Sequence, residues 1–525
     1  MPFRGLLVVL CYTVVTISLM AQSPGSELSM EQIQDLREQI AKQQKQIELL
    51  QKSIAEQQKL LDSALRVVAA KPAEAPAELR KVNRKSGSDI AHSPVSFEIG
   101  DASFTPFGFV DLTYVGRSTN VASGIGTDFA NIPYSSSAPG RIGENNFSTQ
   151  NSRLGLRVDS NVHGAKVLGY FEADFLGNQP PNVFNSSNSG TFRMRNAFAD
   201  IQKGSFEFTG GQDWSLMTPG KSGISPIPND IFYTQVMDTN YLAGLVWARQ
   251  TQVRFAYHPN KNFHAALSLE NPQQYVGGSS GGPTITFPAA FASKTAITNQ
   301  FNSGSNDYSV PNSMPDVIAK VAFESHPGGK LQHIEIAGLL RRFKYFNPIA
   351  NNSIGQMFSA VGGGGSVNGN FEIFKNVRLI ANTFFSDGGG RYLFGMAPDL
   401  TLRPDGSISL VHAFSTLDGI EANFTKNLLL YSYYSGVYTG RNSSLDATGK
   451  YSGYGYFGSP NSQNRDVQEF TIGLTPTIWK SPQYGALQLI TQYSYLWRAP
   501  WYAADNSPRN AKTNMVWVNL RYTIP

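Results

Sequence analysis

Nine cations on strand-like segments are the side chains of this 525-residue chain best placed to do chemistry. Arg153 and Arg157 lie four residues apart, and Arg193 and Arg195 two apart, so each pair shares one face of an extended chain. Arg254, Lys320, Arg341, Arg378 and Arg498 fall on the polar faces of other such segments. Arginine forks grip carboxylates and phosphates at two points. A narrow passage lined by them concentrates anions. Carboxylates such as Glu172, Glu207, Asp213, Glu270 and Glu324 offer the opposite outcome, in which ion pairs neutralise and stiffen a wall. A second candidate is the proline-punctuated stretch 214–248, which follows Asp213 and begins with Trp214. It carries Asp230 and Asp238, and a loop there that turned inward would make a constriction from Asp213, Trp214, Asp230 and Asp238.

Enzymatic chemistry finds little support. The run Gly362–Gly365 is followed by no Lys-Ser/Thr pair, so it is no phosphate loop and reads instead as a sharply bent strand. The 7 histidines lack metal-ligand spacing, and no nucleophile elbow sits on a strand-to-helix turn. No cofactor, metal or catalytic residue is expected. An exported chain would not meet nucleic acid, so the pI near 9.0 does not argue for that partner.

The elements that must position the cations are strands. Charged residues make up 15% and aromatics 12%, with 49 glycines, a balance that suits a β-rich protein with a large apolar surface and many turns. About sixteen segments of near ten residues follow Ser103: 104–115, 151–160, 164–175, 191–202, 205–213, 249–258, 262–270, 315–325, 331–346, 356–368, 371–386, 408–424, 427–440, 466–479, 485–498 and 512–523. Tight connections such as Lys203-Gly204 and Lys426-Asn427 alternate with long ones near 116–150, 214–248 and 271–314. Apolar and polar residues alternate within most of the strands; the segments 356–368 and 408–424 alternate poorly, and their faces are not assigned. Val253, Phe255 and Tyr257 oppose Gln250, Gln252 and Arg254; Val516, Val518 and Leu520 oppose Asn519 and Arg521. The polar face holds too many charges for a dry interior. The reading is an all-β transmembrane barrel of about 16 antiparallel strands over 103–525, apolar face to lipid and polar face to a lumen. Tyr431, Tyr433, Tyr434, Tyr438, Tyr493, Tyr495 and Trp497 are read as an interfacial aromatic girdle.

Upstream, residues 1–21 read as a secretory signal peptide: Arg4, an apolar stretch from Leu6 to Met20, then Ala21. The one cysteine, Cys11, lies within it. Residues 27–70 carry a seven-residue apolar period at Ile33, Ile40, Ile47, Ile54, Leu61 and Val68, with Leu36, Gln43, Leu50, Gln57 and Ala64 three residues later. That is an α-helical coiled coil, roughly 60 Å long at 1.5 Å per residue. Residues 71–102 are a linker, opened by Pro72 and Pro76. An even strand count leaves both barrel ends on the short-turn side, where the coiled coil would project.

Three short motifs and the coiled coil together give the chain a resemblance. They are Ser152-Arg153-Leu154-Gly155-Leu156-Arg157, Phe192-Arg193-Met194-Arg195-Asn196-Ala197-Phe198 and Gly211-Gln212-Asp213-Trp214-Ser215. The chain resembles the DcaP-like trimeric porins of bacterial outer membranes and, more distantly, phosphate-selective porins. The resemblance implies a homotrimer, joined by coiled coil and barrel walls, set in outer-membrane lipid with the coiled coil in the periplasm. It implies passive diffusion of small anions such as dicarboxylates, with Arg153, Arg157, Arg193 and Arg195 as pore cations. The alternative is a structural tether, the barrel serving as an anchor and the coiled coil reaching peptidoglycan.

Overall fold

In a computed structural model the chain is described over residues 93–525, apart from 178–189, 232–233, 278–284, 295–312 and 350–353. Gln34, Gln44, Lys45 and Glu48 are also described, each helical. The signal peptide, the coiled coil over 27–70 apart from those four residues, and most of the linker lie outside the described residues.

The barrel strands, in chain order, are β1 (Ala102–Arg117), β2 (Glu144–Ser148 continuing as Arg153–Val162), β3 (Ala165–Asp174), β4 (Arg193–Lys203), β5 (Phe206–Trp214), β6 (Arg249–Asn260), β7 (Phe263–Glu270), β8 (Asp316–Ser325), β9 (Gln332–Ile349), β10 (Ile354–Phe374), β11 (Val377–Asp387), β12 (His412–Thr425), β13 (Leu428–Thr439), β14 (Asn464–Ser481), β15 (Gly485–Pro500) and β16 (Ala511–Thr523). Each pairs antiparallel with the next. β1 then pairs with β16 from Phe109↔Thr523 to Arg117↔Met515, which closes the sheet and removes its edges. Among the described residues the wall therefore has sixteen staves.

Burial runs opposite to that of a soluble protein. Along β6, Val253, Phe255 and Tyr257 are exposed, Phe255 by 56%, whereas Gln250, Gln252 and Arg254 are buried. β1 repeats the pattern, with Val110 and Leu112 outside and Asp111, Thr113 and Arg117 inside. A surface of this kind is stable only when something apolar covers it, and a membrane-spanning barrel is the solution that also pairs every backbone group.

The structure amends four expectations. Gly362–Gly365 lie inside a β10 that runs unbroken to Phe374, and its turn falls at Lys375-Asn376, not near residue 370. Residues 408–410 leave β12 to form a small loop hairpin with Leu400–Leu402. Within the segment read as linker, Phe97–Ile99 pairs with Ala102–Phe104. Tyr431 and Tyr433 are no girdle residues; they are 2% and 1% exposed on the inner face, because period-two alternation puts them opposite the outward Tyr434 and Tyr438.

Candidate functional site

The site is the lumen, and loops enter it. The segment 215–248 leaves β5 and crosses the interior. Its tip descends to the short-turn end. There Gly220 N–H donates to the Glu335 carboxylate (3.2 Å), Gly223 N–H donates to Glu324, and Asn370 Nδ2 donates to the Lys221 carbonyl (3.0 Å). Its return leg rises along the opposite wall. Gln235 N–H donates to Tyr433 Oη (3.1 Å), Met237 N–H to Gln492 Oε1 (2.8 Å) and Ala243 N–H to Glu469 Oε2 (3.0 Å). Gly244, at φ 89°, sits so close to the wall that a Cβ would lie 2.6 Å from the Gly436 carbonyl and 2.7 Å from that of Thr416. Thr416 points outward and Gly436 has no side chain, which leaves bare backbone on the inner side.

Two more loops fill the long-loop half. Phe129 and Ile132 from the first loop and Tyr392, Leu393 and Met396 from the loop after β11 join Met217, Met237 and Val246 in one apolar cluster against the inner wall. Trp247 N–H donates to the Tyr392 carbonyl (3.1 Å), and its ring stacks on Phe394.

Each cation singled out from the sequence has a described partner. Arg153 and Arg195 share Glu172, at 3.5 and 2.6 Å. Arg193 and Arg195 share Asp174, both at 2.7 Å. Arg157 turns to Asp159 (2.7 Å), Arg254 to Asp213 (3.4 Å) and Lys320 to Glu335 (2.9 Å). Arg341 bridges Asp316 and Asp399, both at 3.0 Å, and Arg378 pairs with Glu421. Arg498 meets no carboxylate among the described residues; it donates to the Ile132 and Asn461 carbonyls and to Asn464 Oδ1, and lies over the Tyr134 ring. Arg153, Arg157, Arg193, Arg195 and Arg254 therefore divide into separate clusters and do not form one continuous cationic lining.

Among the residues of the candidate constriction, Asp213 and Trp214 are buried in the wall. Asp213 accepts from Asn196 Nδ2 (2.9 Å), and Trp214 packs on Tyr241 and Trp247. Asp230 accepts from Ser225 Oγ (2.9 Å) within the loop tip. Asp238 accepts from the N–H groups of Thr127 (3.1 Å) and Asn240 (2.8 Å), tying the crossing loop to the first loop. Burial pushes its carboxyl up to about 6, against the opposing pull of these hydrogen bonds and of Arg117. Burial also lowers Lys221, helped by Arg378.

Two connected polar cavities remain on the short-turn side. One, of about 300 Å³, lies between the return leg and the wall, lined by Arg153, Arg521, Lys426, Gln235, Thr475 and Gln488. The other, of about 370 Å³, is lined by Lys221, Arg378, Glu421 and Asn370. Gln235, Asn423 and Leu429 border both. Sequence reading leaves Arg521 and Lys426 off the site. Arg521 is visible as the inward partner of Leu520 and Tyr522, but its place beside the cavity follows from closure onto β1, where it donates to Asp111 (2.6 Å). Lys426 belongs to a tight turn, and only the tertiary fold brings that turn to the cavity.

Comparison with solved structures places this architecture. The outer-membrane channel DcaP of Acinetobacter baumannii superposes with a TM-score of 0.56 at 17% identity, over 81% of this chain and 97% of that one. This chain has that channel's fold. An anion-selective porin from Comamonas acidovorans (TM-score 0.44, 13% identity, 81% and 100% covered) and Salmonella typhi OmpF (0.43, 10%, 82% and 100%) are more distant matches. No family model and no curated protein matches the chain.

Proposed function

We propose that the protein is a bacterial outer-membrane porin: a passive, non-enzymatic diffusion channel with a preference for small anions. The observation that carries the reading is the inverted wall, apolar outside and ionic inside, enclosing polar cavities beside a loop that crosses the lumen. Solutes pass between the return leg and the wall of β1, β2 and β12–β16. The paired cations fix the loop and the wall. Selectivity falls to those that keep a water-facing surface beside the cavities, Arg153, Arg378 and Arg521, whose side chains retain 16%, 24% and 20% exposure, together with Lys426. Cations in a low-dielectric passage raise the local anion concentration even when partly paired. The chain acts as a homotrimer with its coiled coil in the periplasm, as its resemblance implies.

Reconstitution in a planar bilayer under a salt gradient tests this. Stepwise openings in triplets with an anion-selective reversal potential are expected. A folded, heat-modifiable barrel that never conducts would overturn the reading.

A further inference from the structure

The outer wall carries a feature that channel function does not use. β9 and β10 rise above their neighbour: Gly363 of β10 is level with Asp387, the last residue of β11, so Ile354–Gly362 stands higher. The outward face of β9 reads, from the short-turn end, Ile334, Ile336, Gly338, Leu340, Arg342 and Lys344. Four uncharged residues cross the apolar belt, and two cations follow in line. Arg342 is exposed, opposite Val361; Lys344 is half-buried, opposite Ser359. Neither forms an ion pair with a described residue.

Immediately beside and below them the wall is hollow. Leu340 pairs with Gly363 and Gly338 with Gly365. An outward depression of about 610 Å³ is lined by Val361, Gly363, Phe385, Phe414 and Tyr438, with His412 and Asp387 at its upper edge. Glycine replaces the side chains that would fill it, and the rings around it are apolar.

We propose that this face binds a phosphorylated, multi-acyl lipid of the outer leaflet, its acyl chain in the glycine hollow and its phosphate on Arg342 and Lys344. Charge and shape select the occupant together. Two unpaired cations stacked at the upper edge of an apolar belt match a phosphate monoester at head-group height, where guanidinium and ammonium groups bind phosphate oxygens. The hollow beneath takes a hydrocarbon chain, which a soluble anion lacks. The inference rests on the membrane-spanning reading but not on anion preference.

The test uses the full-length protein in detergent, with wild type and Arg342→Gln/Lys344→Gln compared for retention of bisphosphorylated lipid A and of its dephosphorylated form by native mass spectrometry. Wild type is expected to hold the phosphorylated form and release the other. The double variant should bind about 30-fold more weakly, as two cations at about 1 kcal/mol each give, and Arg342→Lys should keep most of the binding. Equal retention by wild type and the double variant, or equal retention of both lipid forms, would overturn the proposal. Bilayer conductance of the same samples separates the two readings. A variant that conducts normally while losing lipid leaves the channel intact, and lipid binding without conductance removes the channel reading alone.

Discussion

The crossing loop touches two walls that hold it by different chemistry. Its tip lies against β8, β9 and β10, where Lys320, His333, Glu324 and Glu335 form a buried ionic network around Gly220 and Gly223. Its return leg lies against β12–β15, where Tyr433, Gln492 and the Glu469 carboxyl each accept a single hydrogen bond from a loop N–H and neutral side chains outnumber charged ones. A buried ionic network is intolerant of losing one member, because the survivor keeps its desolvation cost. A neutral hydrogen-bonded surface loses about 1 kcal/mol per bond. The first wall thus fixes where the loop is rooted, and the second sets how firmly it rests against the passage.

Breaking the ionic wall should have the largest effect. Glu335→Ala strands Lys320, leaves His333 with Glu324 alone and removes the acceptor for Gly220, so a stability loss of about 3–5 kcal/mol is expected, read as a lower urea midpoint of the heat-modifiable band. Next come the cavity cations. Arg521→Gln with Lys426→Gln should move the reversal potential toward cation selectivity, with some loss of stability because Arg521 also pairs with the buried Asp111; an unchanged potential would assign selectivity to the paired clusters instead. On the neutral wall, Tyr433→Phe removes a donor to Glu421 (2.7 Å) and an acceptor for Gln235 N–H. Its expected cost is about 1–3 kcal/mol, seen as faster amide exchange at Gln235 with Gly220 unaffected.

The smallest effect is that of pH. The Asp238 carboxyl titrates near 6 when the loop is seated, above its ordinary 3.8. The seated state therefore binds the proton more tightly than a released one. Seating is strongest below about pH 4, weakens between 4 and 6 and is level above, by at most about tenfold per pH unit for one proton. Proteolysis of the 214–248 segment across that range should show the slope, and Asp238→Asn should flatten it.

Much of this wall was legible in the sequence, because period-two alternation is a local property. Strands appear near all sixteen segments, and where apolar and polar residues alternate the faces follow: Gln250, Gln252 and Arg254 point inward as their spacing requires. The partnership of each cation was not legible. Arg195 and Glu172 are 23 residues apart and Arg341 and Asp399 58 apart, and only the register of neighbouring strands and the inward fall of the loops bring them together. Tyr431 and Tyr433 misled for a related reason. An aromatic girdle and an aromatic loop rest have the same composition, and the two differ only in the parity of the positions.

Gly244 carries a consequence for how such a protein can diverge. Its missing side chain allows the loop backbone to lie flat on the wall backbone at Thr416 and Gly436. Any other residue meets two carbonyl oxygens at once and also pays for a left-handed backbone, so the loop must lift there while its ionic root stays in place. The barrel itself need not change. One codon then acts as a tuning screw for the bore, and lineages exposed to bulkier nutrients or to toxic solutes could widen or narrow the same channel without redesigning the wall that holds it in the membrane.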